Sequence, residues 1–311
     1  MPELPEVETV RRGLEGFVTG ALIRDVEVRR DSCVRLTPGG ADEFRGRLLG
    51  ARIVGAARRG KFLWLPLGAE DALSAHLGMS GQFRVHAVPA DAAPEPHPHC
   101  RARFTLEREG QELTLDFLDQ RTFGYLHVED LVPTPDSLPG GQGADLAAVP
   151  VSVAHIGRDA LDPAVTPELA ARLWRRGTRG TKQVLLDQAR VSGIGNIYAD
   201  EALWLARIHP ERPADALTAR QARELFDAVR AVMERALAQG GTSFDALYVN
   251  VNGESGYFAR DLEAYGRASQ PCARCGTPIV REVIGQRSTH WCPQCQRRPR
   301  RYAQRRGPVS R

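Results

Sequence analysis

Cys272-Ala273-Arg274-Cys275, followed after sixteen residues by Cys292-Pro293-Gln294-Cys295, decides how the C-terminal end of this 311-residue chain folds. Each C-x-x-C knuckle brings two thiolates to one side of a tight turn, and a hairpin between the knuckles completes a tetrahedron around one Zn2+. Four thiolates leave no open coordination position, so such a zinc is structural. The alternative is a pair of disulfides, which needs an oxidising compartment. The chain shows no charged-then-apolar leader and no apolar run of transmembrane length, and Cys33 and Cys100 stand unpatterned. The pattern favours zinc over disulfides.

Charge is the next signal outward from the knuckles. Residues 272–311 hold ten Arg and one acid, Glu282, for a net +9, whereas the rest of the chain carries −5 within an overall +4. Such asymmetry points to a polyanion at the C-terminal end. The tail at 297–311, with Arg297-Arg298-Pro299-Arg300-Arg301 and Arg305-Arg306, is expected to be disordered when alone, which does not prevent it from meeting phosphates. The chain has 40 Arg but Lys only at positions 61 and 182. Where arginine supplies every generic positive charge, a lysine suggests a task that needs a compact ammonium able to exchange a proton.

Further upstream the reading is α+β with two domains. Leu22–Val28, Phe62–Leu65 and Leu113–Phe117 alternate as strands between glycines and prolines, so residues 1–132 read as an antiparallel β-sandwich behind a short N-terminal helix. Residues 87–98 hold four prolines and no apolar pattern, and read as a mobile loop. Residues 133–150, rich in Pro and Gly, read as an interdomain linker. Helices dominate 151–265. Thr166-Pro167-Glu168 caps one, and Thr218 with Gln221 caps another. The apolar face Ala222, Leu225, Phe226, Val229, Met233, Ala236 and Leu237 of the latter is core, and Gly240-Gly241 ends it. Between helical stretches near 181–190 and 197–206, Val191-Ser192-Gly193-Ile194-Gly195-Asn196 reads as a helix–two-turns–helix corner whose amides could receive a phosphate. The zinc hairpin occupies 266–296.

The chain opens Met1-Pro2-Glu3-Leu4-Pro5-Glu6. Trimming of the methionine is expected to leave Pro2 as a secondary amine with a pKa of about 8, nucleophilic at neutral pH and able to form an iminium ion directly. Glu3 beside it can move protons. Pro2 and Pro5 also suit the first turn of a helix continued by Glu6–Val10, and these residues alone leave both readings open.

Taken together, Pro2–Thr9, Gly60-Lys61-Phe62-Leu63, His76-Leu77-Gly78-Met79-Ser80-Gly81, Gly193–Glu201 and the hairpin containing Gln286-Arg287-Ser288-Thr289 resemble the bacterial formamidopyrimidine-DNA glycosylases, in order, over nearly the whole chain. The resemblance implies a β-sandwich, a helix–two-turns–helix domain and a zinc hairpin, and a base-excision repair enzyme that turns a damaged nucleotide out of double-stranded DNA. It implies that Pro2 attacks the sugar C1′, Glu3 handles protons at the opening ring, Lys61 acts near the sugar-phosphate, and Arg287 grips phosphates. It further implies that Met79, Arg121 and Phe123 fill the vacated stack, with Arg121 reading the orphaned cytosine. His97, Lys182 and Asn196 match phosphate contacts, and Cys272, Cys275, Cys292 and Cys295 match the zinc ligands.

The expected substrates are 8-oxoguanine and formamidopyrimidines opposite cytosine, and the expected partner is double-stranded DNA containing oxidised bases, met by a cytoplasmic, nucleoid-associated monomer without a membrane segment. The rival readings are an endonuclease VIII-like enzyme for oxidised pyrimidines and an inert zinc-ribbon DNA-binding protein. The chain departs from the family at Gln120 and Thr122, where Pro and Arg are commoner, at Gly177, where a basic residue is expected, in the long 133–150 stretch and in the Arg-rich tail.

Overall fold

A computed structural model of the chain describes residues 2–87, 91–241 and 261–298. The chain divides into two compact units, Met1–His155 with Leu237–Ala259, and Ile156–Ala236 with Arg260–Arg311. Residues 242–257, whose sequence resembles the family's mobile loop that closes over the extruded base, and the tail beyond Arg298 lie outside the described residues.

The first unit opens with α1 (Leu4–Val18), whose Leu4, Val7, Val10, Leu14 and Val18 recur at helical spacing and are all buried. Glu3 is its N-cap residue, the Glu6 carboxylate accepts the Glu3 N–H at 2.9 Å, and Pro5 sits in the first turn, where a missing N–H loses no helical bond. Then follow β1 (Leu22–Val28), α2 (Gly40–Leu48), β2 (Ala57–Arg59), β3 (Phe62–Pro66), β4 (Asp71–His76), β5 (Gly81–His86), β6 (Cys100–Arg108), β7 (Gln111–Asp119), β8 (Tyr125–Pro133) and β9 (Ala148–Pro150). They make two antiparallel sheets, ordered β1-β6-β7-β5 and β2-β3-β4-β8-β9. Alternate residues of each sheet enter one core: Ala102, Phe104 and Leu106 of β6 and Leu115 and Phe117 of β7 from one side, Leu63 and Leu65 of β3 and Leu126 and Val128 of β8 from the other. Val7, Val10, Leu14 and Val18 of α1 join the same core.

Residues 133–150 differ from the linker that their composition suggests. β9 pairs with Leu131–Pro133 of β8, Thr134 N–H donates to Ala147 O at 2.8 Å, and Arg58 and Gln142 exchange two backbone hydrogen bonds of 2.9 Å. The glycines serve close approach: a Cβ on Gly140 would run into the Ala148 carbonyl, and one on Gly141 into that of Arg58. The segment therefore belongs to the sandwich, and the boundary between the units falls after His155.

In the second unit, Thr166 Oγ1 accepts the Leu169 N–H at 3.2 Å and Pro167 begins α3 (Pro167–Trp174). Next come α4 (Thr181–Leu185), α5 (Asn196–Leu205) and α6 (Ala219–Ala238). The helix expected over 181–190 ends at Leu185, because the following residues make the corner. There Gln188 donates to the Leu186 and Ile194 carbonyls and accepts the Gly193 N–H, each at 2.9 Å. Thr218 and Gln221 cap α6 reciprocally at 3.1 Å, and its buried stripe sets Phe226 against Trp174, ring centroids 5.8 Å apart. β10 (Val280–Ile284) and β11 (Arg287–Trp291) form the hairpin. Its turn residues Gly285 and Gln286 both have positive φ, at 56° and 63°, as a two-residue type I′ turn requires. Trp204 of α5 packs with Ala264, Cys272, Ile279 and Cys292, so the hairpin shares a core with the helices. Among the described residues, no helix is long and apolar enough to cross a membrane.

Candidate active site and nucleic-acid interface

Pro2 is half-buried immediately before Glu3, which is buried at the head of α1. One turn further along, Glu8 is 1% exposed and surrounded by guanidinium groups. Its carboxylate accepts from Arg58 Nε at 2.8 Å, from Arg11 at 3.1 Å through both Nε and NH2, and from Arg12 Nε at 2.8 Å. Burial alone would raise the Glu8 pKa; the charge of Arg58, with Arg11 hydrogen bonding beside it, outweighs burial and holds it below the ordinary value. Arg58 also donates to Gly60 O at 2.9 Å, and Gly60, at φ +59°, makes the two-residue turn that presents Lys61 between β2 and β3. One buried network thus fixes the helix that begins with Pro2-Glu3 and the turn that carries Lys61.

Met79 and Phe123 both stand open to solvent. A core aromatic and a gap-filling methionine would be buried, but these are 46% and 55% exposed. Arg121 is exposed as well, with NH1 at 3.9 Å from the Met79 sulfur. His97 faces a cleft of about 360 Å³ lined also by Arg29 and Arg101. Partial burial, then the charges of His99, Arg84 and Arg101, hold its pKa below 6.5. Its Nδ1 accepts the His99 N–H at 3.1 Å, which leaves Nε2–H as the donor of the neutral ring.

In the second unit the four cysteine sulfurs lie within 4.8 Å of one another. Sulfurs 2.3 Å from a central ion in a tetrahedron stand about 3.8 Å apart, so the set fits one Zn2+ and no disulfide, which needs about 2.05 Å. Cys33 and Cys100 are buried thiols, each pushed up to about 12 by burial. The metal closes the base of the hairpin, while α4 and α5 hold its tip. Lys182 Nζ contacts Asp200 at 2.6 Å and donates to Ser288 O at 3.0 Å and Thr289 Oγ1 at 2.9 Å. Asn196 Nδ2 donates to the same Ser288 carbonyl at 2.8 Å, and Asp200 accepts the His290 N–H at 2.8 Å. Arg287, adjoining Ser288, is left exposed.

This geometry gives Lys182 a different setting from the open phosphate contact expected of it. It is 1% exposed, and its ammonium is directed into the protein, where it docks the hairpin that carries Arg287. Asn196 stands at the first position of α5, where the helix dipole favours an anion, and its side-chain amide ties that end to β11. Sequence reasoning missed Glu8, Arg58 and Asp200. The available signal was a carboxylate placed where an apolar stripe should continue, at Glu8 after Leu4 and Val7. Its arginine partner, fifty residues away, gave none.

A β-sandwich with a helix–two-turns–helix unit and a four-thiolate hairpin is the architecture of a class of DNA-repair glycosylases. The sequence matches the Formamidopyrimidine-DNA glycosylase N-terminal domain over residues 1–126, the Formamidopyrimidine-DNA glycosylase H2TH domain over 156–246 and the zinc finger found in FPG and IleRS over 269–298. The formamidopyrimidine-DNA glycosylase of Thermobifida fusca is 54% identical over 305 residues, covering 96% of this chain and 99% of the relative. That of Salinispora arenicola is 52% identical, covering 99% and 100%. The MutM (FPG) structure from Thermus thermophilus superimposes with a TM-score of 0.75 at 38% identity, covering 95% of this chain and 98% of that one. A Lactococcus lactis FPG mutant bound to Fapy-dG-containing DNA gives 0.77 at 31% identity, covering 96% and 100%. The chain belongs to the formamidopyrimidine-DNA glycosylase family.

Proposed function

We infer that this protein is a bifunctional DNA glycosylase and AP lyase that removes oxidised purines, 8-oxoguanine and formamidopyrimidines, from double-stranded DNA. The observation that carries the reading is Pro2-Glu3 at the head of a helix whose buried Glu8–Arg58 pair also fixes the Lys61 turn. With Met1 removed, the Pro2 nitrogen attacks C1′ of the extruded nucleotide, and the glycosidic electrons leave with the base. Glu3 delivers a proton as the sugar ring opens, giving an iminium between Pro2 and C1′. The iminium acidifies C2′, loss of that proton expels the 3′ phosphate, and a second elimination expels the 5′ phosphate. Lys61 supplies a positive, proton-bearing group beside the sugar-phosphate, and Arg287 grips phosphates through the second elimination. Zinc takes no part in these steps; its place is to hold Arg287 in position. Met79 and Phe123 fill the vacated stack, Arg121 reads the orphaned base, and His97 and the first turn of α5 at Asn196 meet phosphates. The setting is the bacterial cytoplasm, where the enzyme acts as a monomer associated with the nucleoid through its DNA.

Borohydride trapping on a duplex containing 8-oxoguanine tests the reading. A covalent adduct should form and map to the N-terminal peptide, and Pro2→Gly should bind the duplex yet lose most base excision. An adduct on Lys61 or Lys182 would overturn the assignment. A duplex carrying an oxidised pyrimidine should be processed more slowly; the reverse order would indicate an endonuclease VIII-like enzyme.

A further inference from the structure

Between Arg121 and Phe123 stands Thr122 with φ +56°, the one β-branched side chain among the described non-glycine residues of positive φ. A branched Cβ is strained in that region, so the conformation persists only where its surroundings over-determine it. Two sets of contacts do so. Asp119, 1% exposed, accepts the Gly124 N–H at 2.6 Å and the Ser80 hydroxyl at 2.5 Å, and Ser80 Oγ accepts the Arg121 N–H at 3.0 Å. On the other flank, Arg35 donates from NH1 to Gly124 O at 2.9 Å and from NH2 to Phe123 O at 3.1 Å. Its own place is set by a third bond, NH1 to Ser32 O at 2.9 Å, and by the Tyr125 ring 4.6 Å beneath the guanidinium.

We propose that Arg35 is a positioning residue for opposite-base selection: its fork holds the strained Thr122 turn so that Arg121 and Phe123 present one fixed geometry to the partner strand. A planar guanidinium can bond two successive carbonyls at once, which a lysine ammonium on a flexible stem does poorly. The wedge on the neighbouring loop is locked to the same peptide. Gly78, at φ +57°, lies so close that an added Cβ would sit 2.6 Å from Gly124 N and 2.7 Å from the Phe123 carbonyl carbon. Met79, Arg121 and Phe123 therefore move as one body, and Arg35 fastens it to the segment after β1. The proposal rests on the reading of Arg121 as the partner-base reader.

The test measures single-turnover excision of 8-oxoguanine opposite cytosine and opposite adenine, using the full-length zinc-loaded protein. Arg35→Ala and Arg35→Lys should each narrow the cytosine-to-adenine ratio by about three- to tenfold, the size of effect expected when hydrogen bonds that hold a reader are lost. Borohydride trapping on single-stranded abasic DNA, which has no partner base, should stay unchanged. Adding Thr122→Asn to Arg35→Ala should recover part of the ratio, because asparagine tolerates the left-handed region. Arg121→Ala serves as the control. If it narrows the ratio and both Arg35 variants keep the wild-type value, the proposal fails while the reading of Arg121 stands. If Arg121→Ala leaves the ratio unchanged, that reading fails and the proposal falls with it. An equal loss against both partners with a shallower salt dependence would make Arg35 a phosphate contact and also overturn the proposal.

Discussion

Lys182→Met removes an ammonium from a site where its partner Asp200 is 0% exposed and keeps only its contacts to His290 among those described above. Breaking one side of a buried ion pair leaves an uncompensated charge, at about 3–5 kcal/mol. At about 1.4 kcal/mol per decade, the docked hairpin should be disfavoured by about a hundredfold to a few thousandfold. Ser288 O keeps its bond from Asn196, whereas Thr289 Oγ1 loses the Lys182 donor. Arg287 adjoins Ser288, and its carbonyl accepts the Thr289 hydroxyl at 3.1 Å, so affinity for an abasic-site duplex should fall together with the thermal midpoint, the latter on the order of 10 °C, while zinc stays bound. Pairing Lys182→Met with Asp200→Asn removes the stranded charge and keeps an oxygen for the His290 N–H, so a double-mutant cycle should recover a large part of both losses. A phosphate-contacting lysine makes the opposite forecast. Lys182→Met would then leave the melting temperature unchanged, make the slope of log affinity against log salt shallower by about 0.9, and gain nothing from Asp200→Asn. That outcome would refute the docking role.

Metal analysis should find about one zinc per chain, and Cys275→Ser should abolish duplex binding through loss of the hairpin; a metal-free preparation with full activity would sink the structural role of the metal. Glu8→Gln should destabilise the first unit by about 3–5 kcal/mol at neutral pH. Because the folded Glu8 pKa lies below 4.5, its contribution is fully present above 4.5 and lost as pH falls through the folded value, so urea midpoints of the two proteins should converge only at acid pH. His76 Nδ1 accepts the Gly78 N–H at 3.1 Å, and burial, then the charge of Arg35, hold its pKa below 6.5. Its stabilising contribution is thus present above 6.5 and lost as pH falls through the folded value; an NMR titration midpoint above 6.5 would contradict this. Gly141→Ala should destabilise by about 1–3 kcal/mol, the range for overpacking, since the new methyl meets the Arg58 carbonyl; an unchanged melting temperature would argue against the close approach.

What could be read from the sequence was local. Zinc ligands three apart, a threonine three before a glutamine and glycines after an apolar stripe each act over a single turn, and all reappear where expected. Exposure of Phe123 was inferable only through family likeness, and that of Met79 also from the glycines that flank it, because neither residue type announces a wedge. The buried polar links were illegible for a different reason. Arg35 reaches Phe123 across 88 residues, and Lys182 reaches Ser288 across 106, and charged side chains carry no periodicity that would disclose such partners. Composition actively misled at 133–150: glycines that permit backbones to touch look the same in a sequence as glycines that permit a chain to flex.

The pairing of Gln142 with Arg58 has a further consequence. In the order β2-β3-β4-β8-β9, strands β2 and β9 are the two rims of the five-stranded sheet, and rims are where a second chain can add by backbone hydrogen bonding. The 133–150 segment offers Gln142 to one rim and then supplies β9 at the other, so a single stretch occupies both. The sheet is drawn toward a ring, and Arg58 spends its amide within the molecule. Amide exchange at Arg58 should accordingly be as slow as at an interior strand. The rim at β2 is thereby kept from recruiting a second chain by backbone pairing at Arg58.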